Sequence, residues 1–216
     1  MTANLQKKIA ILVSVLTVIL FYAWSFIMSS IYIYSADTKW TKGDLYGAIS
    51  DLTRSIDFNS NNSVAYYKRG YAKVRNNDIK GALYDYNKAI DIDPNNNLIY
   101  INRGNAKLKL ADLNGALSDF DKSILIDPYY ALAYTCRGLG KVDSGDLIGA
   151  LNDYNKAIKL NSTRFQNYAG RGFLKSKMGD ITGAKADFLK AIELNPQARK
   201  AIEDKGYSID GTKKAP

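Results

Sequence analysis

The segment Gly81-Ala82-Leu83-Tyr84-Asp85-Tyr86-Asn87-Lys88-Ala89-Ile90 has four relatives elsewhere in the 216-residue chain. They begin at Gly47, Gly115, Gly149 and Gly183, all on an unbroken spacing of 34 residues. A fixed period of this length marks a repeat array, in which each unit is one supersecondary element that buries its apolar face only against a neighbour. Within a unit, Asp44, Asp78, Asp112, Asp146 or Asp180 precedes the apolar-periodic run. An acidic residue there is a helix N-cap, because its carboxylate accepts backbone N–H groups that have no partner inside the helix. Gly43, Asn77, Gly145 and Gly179 stand just before these caps as turn formers that end a preceding helix. Asp93-Pro94, Asp127-Pro128 and Asn195-Pro196 stop the second helix, with Ser60 and Ser162 in the proline position of two other units. Each unit therefore reads as helix, tight turn, helix, loop.

Small residues recur where paired helices approach: Gly70, Gly104, Gly138 and Gly172 in the first helix, and Ala82, Ala116, Ala150 and Ala184 in the second. Two aromatic columns, Tyr66, Tyr100, Tyr134, Tyr168 and Tyr86, Phe120, Tyr154, Phe188, fill the space between them as core. An Arg column (Arg69, Arg103, Arg137, Arg171) faces an Asp column (Asp85, Asp119, Asp153, Asp187), which predicts a ladder of Arg–carboxylate pairs between the helices.

These columns resemble the tetratricopeptide repeat, W-x2-L-G-x2-Y followed by A-x3-F, A and P. The Gly, the Ala82-to-Tyr86 spacing, Ala89 and Pro94 are kept, while Tyr replaces Trp, Arg replaces Leu, and Lys73, Lys107, Lys141 and Lys175 replace the family Tyr. The resemblance covers residues 29–198 as five units, 29–62, 63–96, 97–130, 131–164 and 165–198, followed by a capping helix at 197–205 and a flexible tail at 206–216. It implies an all-α fold, a right-handed superhelical array of antiparallel helix pairs (an α-solenoid), and the apolar segment upstream places one transmembrane helix before it. It also implies a concave wall of first helices that binds a peptide or a partner helix. Carried over position by position, that wall holds Tyr67, Lys68, Tyr71 and Arg75 in the second unit, and Ile101, Asn102, Asn105 and Lys109 in the third. The fourth supplies Thr135, Cys136 and Leu139, and the fifth Ala169, Gly170, Phe173 and Lys177. Family members that clamp a chaperone's terminal carboxylate use a cluster of Lys, Arg and Asn. Here only Asn102 matches, with Tyr67, Tyr71, Leu132 and Cys136 in the other places, which argues against that ligand.

Upstream, residues 1–8 form a short polar tail ending in Lys7 and Lys8, and no charge appears from Ile9 to Tyr34. As a helix that run is about 39 Å long, enough to cross a bilayer core of about 30 Å. The span is read as residues 9–34, an uncleaved anchor. The alternative is a cleaved signal peptide, for which Tyr34-Ser35-Ala36 is a poor match because a bulky ring fills the first small position. Lys39, Lys42 and Arg54 nearly balance Lys7 and Lys8 across the span, and the short Lys-bearing tail favours an inside N-terminus with the repeats on the far side.

The formal charge of +9 suits an acidic protein partner, anionic lipid or nucleic acid. Lys88, Lys122, Lys156 and Lys190 sit beside acidic neighbours and recur with the fold, which argues against nucleic acid. There is no histidine and one cysteine, Cys136, so His-based catalysis, His-ligated metal and thiolate clusters are excluded. No glycine-rich phosphate loop, metal spacing or nucleophile motif asks for a cofactor. The sequence reads as a membrane-anchored, non-catalytic interaction scaffold or assembly factor, the alternative being a basic surface for anionic lipid or nucleic acid.

Overall fold

The structure, a computed structural model, describes residues 3–212. The described residues form eleven α-helices and no extended strand, in two compact units. The first unit, Met1–Pro94, contains α1 (Ala3–Thr41), α2 (Leu45–Phe58), α3 (Ser63–Arg75) and α4 (Ile79–Ile92), each packed on the next in chain order. The second, Asn95–Pro216, contains α5 (Asn97–Lys109), α6 (Leu113–Ile126), α7 (Ala131–Ser144), α8 (Leu147–Leu160), α9 (Phe165–Lys177), α10 (Ile181–Leu194) and α11 (Ala198–Asp204). Its successive helices also pack in chain order, α7 reaches across to α9, and α11 closes on α9 and α10.

The five cap aspartates act as the sequence predicts. Asp44, Asp78, Asp112, Asp146 and Asp180 accept the backbone N–H of Gly47, Gly81, Gly115, Gly149 and Gly183 at 2.8–3.0 Å. This explains the invariance of glycine three residues on: a Cβ at any of these positions would collide with the carboxylate that caps the helix. The turns before the caps take the left-handed conformation at Gly43, Asn77, Gly145 and Gly179, and in the third repeat at Ala111, whose φ of 60° carries a steric cost that glycine would not have.

Close approach is as tight as the small-residue columns predict. A Cβ on Gly104 or Gly172 would lie 2.6 Å from the Phe120 or Phe188 ring, and one on Gly70 2.9 Å from Tyr86. Gly138 is looser, at 3.4 Å from Tyr154, because there Gly170 of the following repeat makes the close approach to that ring. Tyr86, Phe120 and Phe188 are fully buried.

The ladder forms in all four predicted pairs. Arg69, Arg103, Arg137 and Arg171 each donate through Nε and Nη2 to both oxygens of Asp85, Asp119, Asp153 and Asp187, at 2.6–2.9 Å. Each guanidinium also lies over the Tyr one turn before it, at 5.5–5.8 Å. The Lys column has a role that the sequence left unassigned. Lys73, Lys107, Lys141 and Lys175 reach the same carboxylates at 2.8–2.9 Å, so each buried Asp holds two cations. In the first repeat, Ser35 stands where the Arg would be, and Asp51 accepts from Ser35 Oγ at 2.6 Å and Lys39 Nζ at 2.7 Å. Burial pushes the Asp51 carboxyl upward, but these hydrogen bonds and the nearby positive charge outweigh it and hold the group below its ordinary range.

Three boundaries differ from the expected ones. The segment read as a polar tail at 1–8 is already helical from Ala3, and α1 runs without a break through the expected span into the first repeat. Residues Asn4 to Trp24 are exposed, and burial begins at Ser25, where α2 packs against α1. Ser29 and Ser55 share a buried hydrogen bond at 2.8 Å, and Phe58 meets the rings of Trp24 at 5.2 Å and Tyr32 at 5.6 Å. The capping helix is Ala198–Asp204. The segment after it, read as a flexible tail, is docked up to Thr212: Tyr207 packs on Phe173 and Phe188, and Ser176 Oγ donates to Gly211 O at 2.7 Å. The remainder of that expected tail, 213–216, lies outside the described residues.

Candidate functional site

Both units present a hollow where the first helices of successive repeats meet. In the first, Tyr67, Lys68 and Tyr71 of α3 face Asp37 and Trp40 of α1 around a cavity of about 180 Å³. Lys68 is paired with Asp37 at 2.6 Å, and Trp40 packs against Tyr71 at 5.2 Å. Both members of that ion pair are solvated, so the contact positions the side chains more than it stabilises the fold. Arg75 is exposed and does not line this hollow.

The second unit holds a cavity of about 590 Å³. Thr135 and Leu139 of α7 and Phe173 and Lys177 of α9 meet there, with Ala169 and Gly170 between them. Gly170 has to be small, since a Cβ would stand 2.6 Å from the Tyr154 ring beneath it. The end wall is built by Ile202 of α11 and by Tyr207, which together with Phe188 supports the Phe173 ring. Lys177, Lys205 and Asp143 bring charge to this lining, with Lys205 Nζ 5.0 Å above Phe173. The Thr135 hydroxyl is within hydrogen-bond distance of Ala131 O and of Oδ1 of the fully buried Asn167, so it braces the wall from within.

The third repeat contributes differently from expectation. Ile101 is 1% exposed and lies in a cluster with Phe120, Ala133 and Cys136, so it is a core residue and is corrected from the wall. The next repeat covers this position, which a single helix pattern does not reveal. Asn102 Nδ2 donates to Leu98 O at 2.8 Å, and Asn105 Nδ2 reaches Cys136 Sγ at 3.9 Å. Lys109 is exposed at the end of α5, and none of the three lines the cavity. Burial pushes the Cys136 thiol up to about 11, which leaves it protonated and unreactive at neutral pH. Sequence reasoning missed Trp40, Lys205 and Tyr207. Trp40 shares its repeat column with Val74, Leu108, Val142 and Ser176, so periodicity gave no sign of it, whereas the Tyr207 and Ile209 pair in a polar tail was a signal that could have been read.

Among the described residues no group of three or more His, Cys, Asp or Glu side chains could hold a metal ion. An apolar hollow on stacked helix hairpins, with a few charged groups around it, has the form of a protein-interaction scaffold. The family comparison agrees: residues 70–111 match a TPR repeat model, and residues 99–130 and 165–198 match a tetratricopeptide repeat model. These matches show tetratricopeptide repeats at residues 70–130 and 165–198, and proteins built from such repeats bind protein or peptide partners. No curated protein sequence matches it. Among solved structures, a MamA protein is similar at 25% identity and a TM-score of 0.66, over 80% of this chain and 94% of that one. The thermophilic TPR protein TTC0263 of Thermus thermophilus shares the fold at 19% identity and a TM-score of 0.70, over 80% and 96% of the two chains. YrrB, a TPR protein with an unusual peptide-binding site, does so at 20% identity and a TM-score of 0.60, over 80% and 90%.

Proposed function

We propose that this chain is a membrane-anchored, non-catalytic scaffold that holds a peptide or helical segment of a partner protein in the groove of its second unit. The observation that carries the reading is the cavity of about 590 Å³, in which Leu139, Phe173 and Ile202 offer apolar contact while Lys177 and Lys205 offer positive charge. Such a lining suits a segment with one or two apolar anchors and an acidic flank. YrrB, with its peptide-binding site, provides a precedent on the same fold.

The N-terminal helix is long and apolar enough to cross a bilayer: its most apolar 18 residues have a mean hydropathy of 2.3 and are almost wholly unburied. Retention of that helix is favoured by its packing. Cleavage after Ala36 would remove the Ser29 hydrogen bond to Ser55 and the Tyr32 ring stacked on Phe58. Confinement to a membrane raises the effective concentration of scaffold and partner without any new contact. The rival reading, a basic surface for anionic lipid or nucleic acid, is weakened because Lys68 and Lys190 are already paired with Asp37 and Glu193 at 2.6 Å.

Photo-crosslinking in native membranes tests the scaffold. A probe at Phe173 or Tyr71 is expected to give a discrete protein adduct, and a probe at the exposed Tyr84 or Leu125 is not. Equal labelling from both sets, or adducts with nucleic acid only, would overturn the proposal.

A further inference from the structure

The free part of α1 is too short to be the whole span. Between Lys8 and Ser25, where α2 begins to cover the helix, the uncharged stretch Ile9 to Trp24 has 16 residues. That is about 24 Å, some 6 Å less than a bilayer core of about 30 Å. Past Trp24 the two sides of α1 differ. Ser25, Ser29 and Ala36 are buried against the repeat, while Phe26, Ile27, Ile31 and Tyr34 are 52–77% exposed on the opposite side.

We infer that α1 leaves the bilayer asymmetrically, with the Phe26, Ile27, Ile31 and Tyr34 face lying in acyl chains and the headgroup boundary for about two turns after the α2-covered face has reached water. This rests on the membrane anchoring proposed above. The geometry closes. From Trp24 to Ile31 the axis advances about 10 Å, of which an interfacial layer of about 6 Å accepts part. The remaining 4–5 Å across a helix about 10 Å wide needs a lean of about 25°, inside the usual range of roughly 0–40°. With that lean, the outer face from Ile9 to Ile31, about 34 Å long, projects about 31 Å along the normal and matches the core. Tyr34 then sits at the water boundary, where tyrosine is favoured. The polar groups on the other side, Arg54 over the Tyr32 ring and Asn62 donating to Ser29 Oγ, stay out of hydrocarbon because that side is lifted.

The two native tryptophans make the test direct, since Trp24 marks the exit and Trp40 lies in the hollow of the first unit. Full-length chains carrying Trp24 alone (W40F), Trp40 alone (W24F) or a tryptophan at position 31 alone (W24F/W40F/I31W) are reconstituted into phosphatidylcholine vesicles. The lipids are brominated on the acyl chain near the headgroup. The inference expects loss of fluorescence for the probes at 24 and 31, and none at 40. Quenching at 24 without quenching at 31 overturns the asymmetric exit but leaves the anchor. If an Ile31→Cys chain on a Cys136→Ser background then forms a disulfide-linked pair, a second copy covers the patch instead. Failure of the chain to float with vesicles, with no probe quenched, sinks the anchoring reading itself.

Discussion

Replacing Asp85 with alanine removes the hub of one rung of the ladder. The carboxylate is fully buried and accepts from Arg69 Nε at 2.9 Å, Arg69 Nη2 at 2.7 Å and Lys73 Nζ at 2.8 Å. Breaking a buried ion pair costs about 3–5 kcal/mol, because a charge is left without a partner in a poor dielectric. Two features move this case to the lower end. Lys73 is near enough to the surface to swing into water, and Arg69 keeps Thr53 Oγ1 at 3.1 Å. We expect about 3 kcal/mol of local destabilisation, which is roughly a hundredfold in the opening equilibrium. Repeat arrays do not unfold as one unit, so the assay is native-state hydrogen exchange read over α3 and α4 in the full chain. The triple change Asp85→Leu, Arg69→Met, Lys73→Met should be far milder, since an apolar replacement leaves no orphan charge. Acceleration of less than about fivefold in Asp85→Ala, or a triple variant as damaged as the single, would refute the reasoning.

Further outcomes follow from the same geometry. Ala111→Gly should stabilise the α5–α6 hairpin by about 0.5–1 kcal/mol, the relief of a left-handed alanine less the entropy of glycine. A lower urea midpoint in that variant would contradict the strain argument. Because the folded pKa of Asp51 lies below the unfolded value, its stabilisation is present above about pH 4 and lost as pH falls through the folded value. Asp51→Asn should therefore flatten the acid limb of stability against pH, and an unchanged limb would count against the Lys39 and Ser35 contacts. The Cys136 thiol, with its pKa near 11 and 9% exposure, should react with iodoacetamide far more slowly in the folded chain than in denaturant, and equal rates would show that it is open.

The columns that recur from hairpin to hairpin were legible in the sequence alone. Caps, close approaches and Arg–Asp pairs each recur with the same local spacing, so a chance coincidence at one position is corrected by the others. What escaped depends on a neighbour. Lys73 lies one turn beyond Arg69, and spacing alone does not reveal that one carboxylate takes both. Ile101 resembles a wall residue until Cys136 of the next repeat is placed over it. Tyr207 belongs to no repeat, and its contact with Phe173 is made by chain that folds back after the last hairpin. Departures from periodicity thus built the ends of both hollows, with Trp40 at one and Tyr207 at the other.

The size of the complex that the full chain forms in gently solubilised native membranes tests the scaffold most directly, compared by native gel electrophoresis between wild type and Leu139→Ala/Phe173→Ala. Our account predicts that the wild-type band runs well above the free chain, and that the double variant, still membrane-bound and helical, runs lower. A complex of unchanged size in that variant, or a wild-type chain running alone, would contradict it.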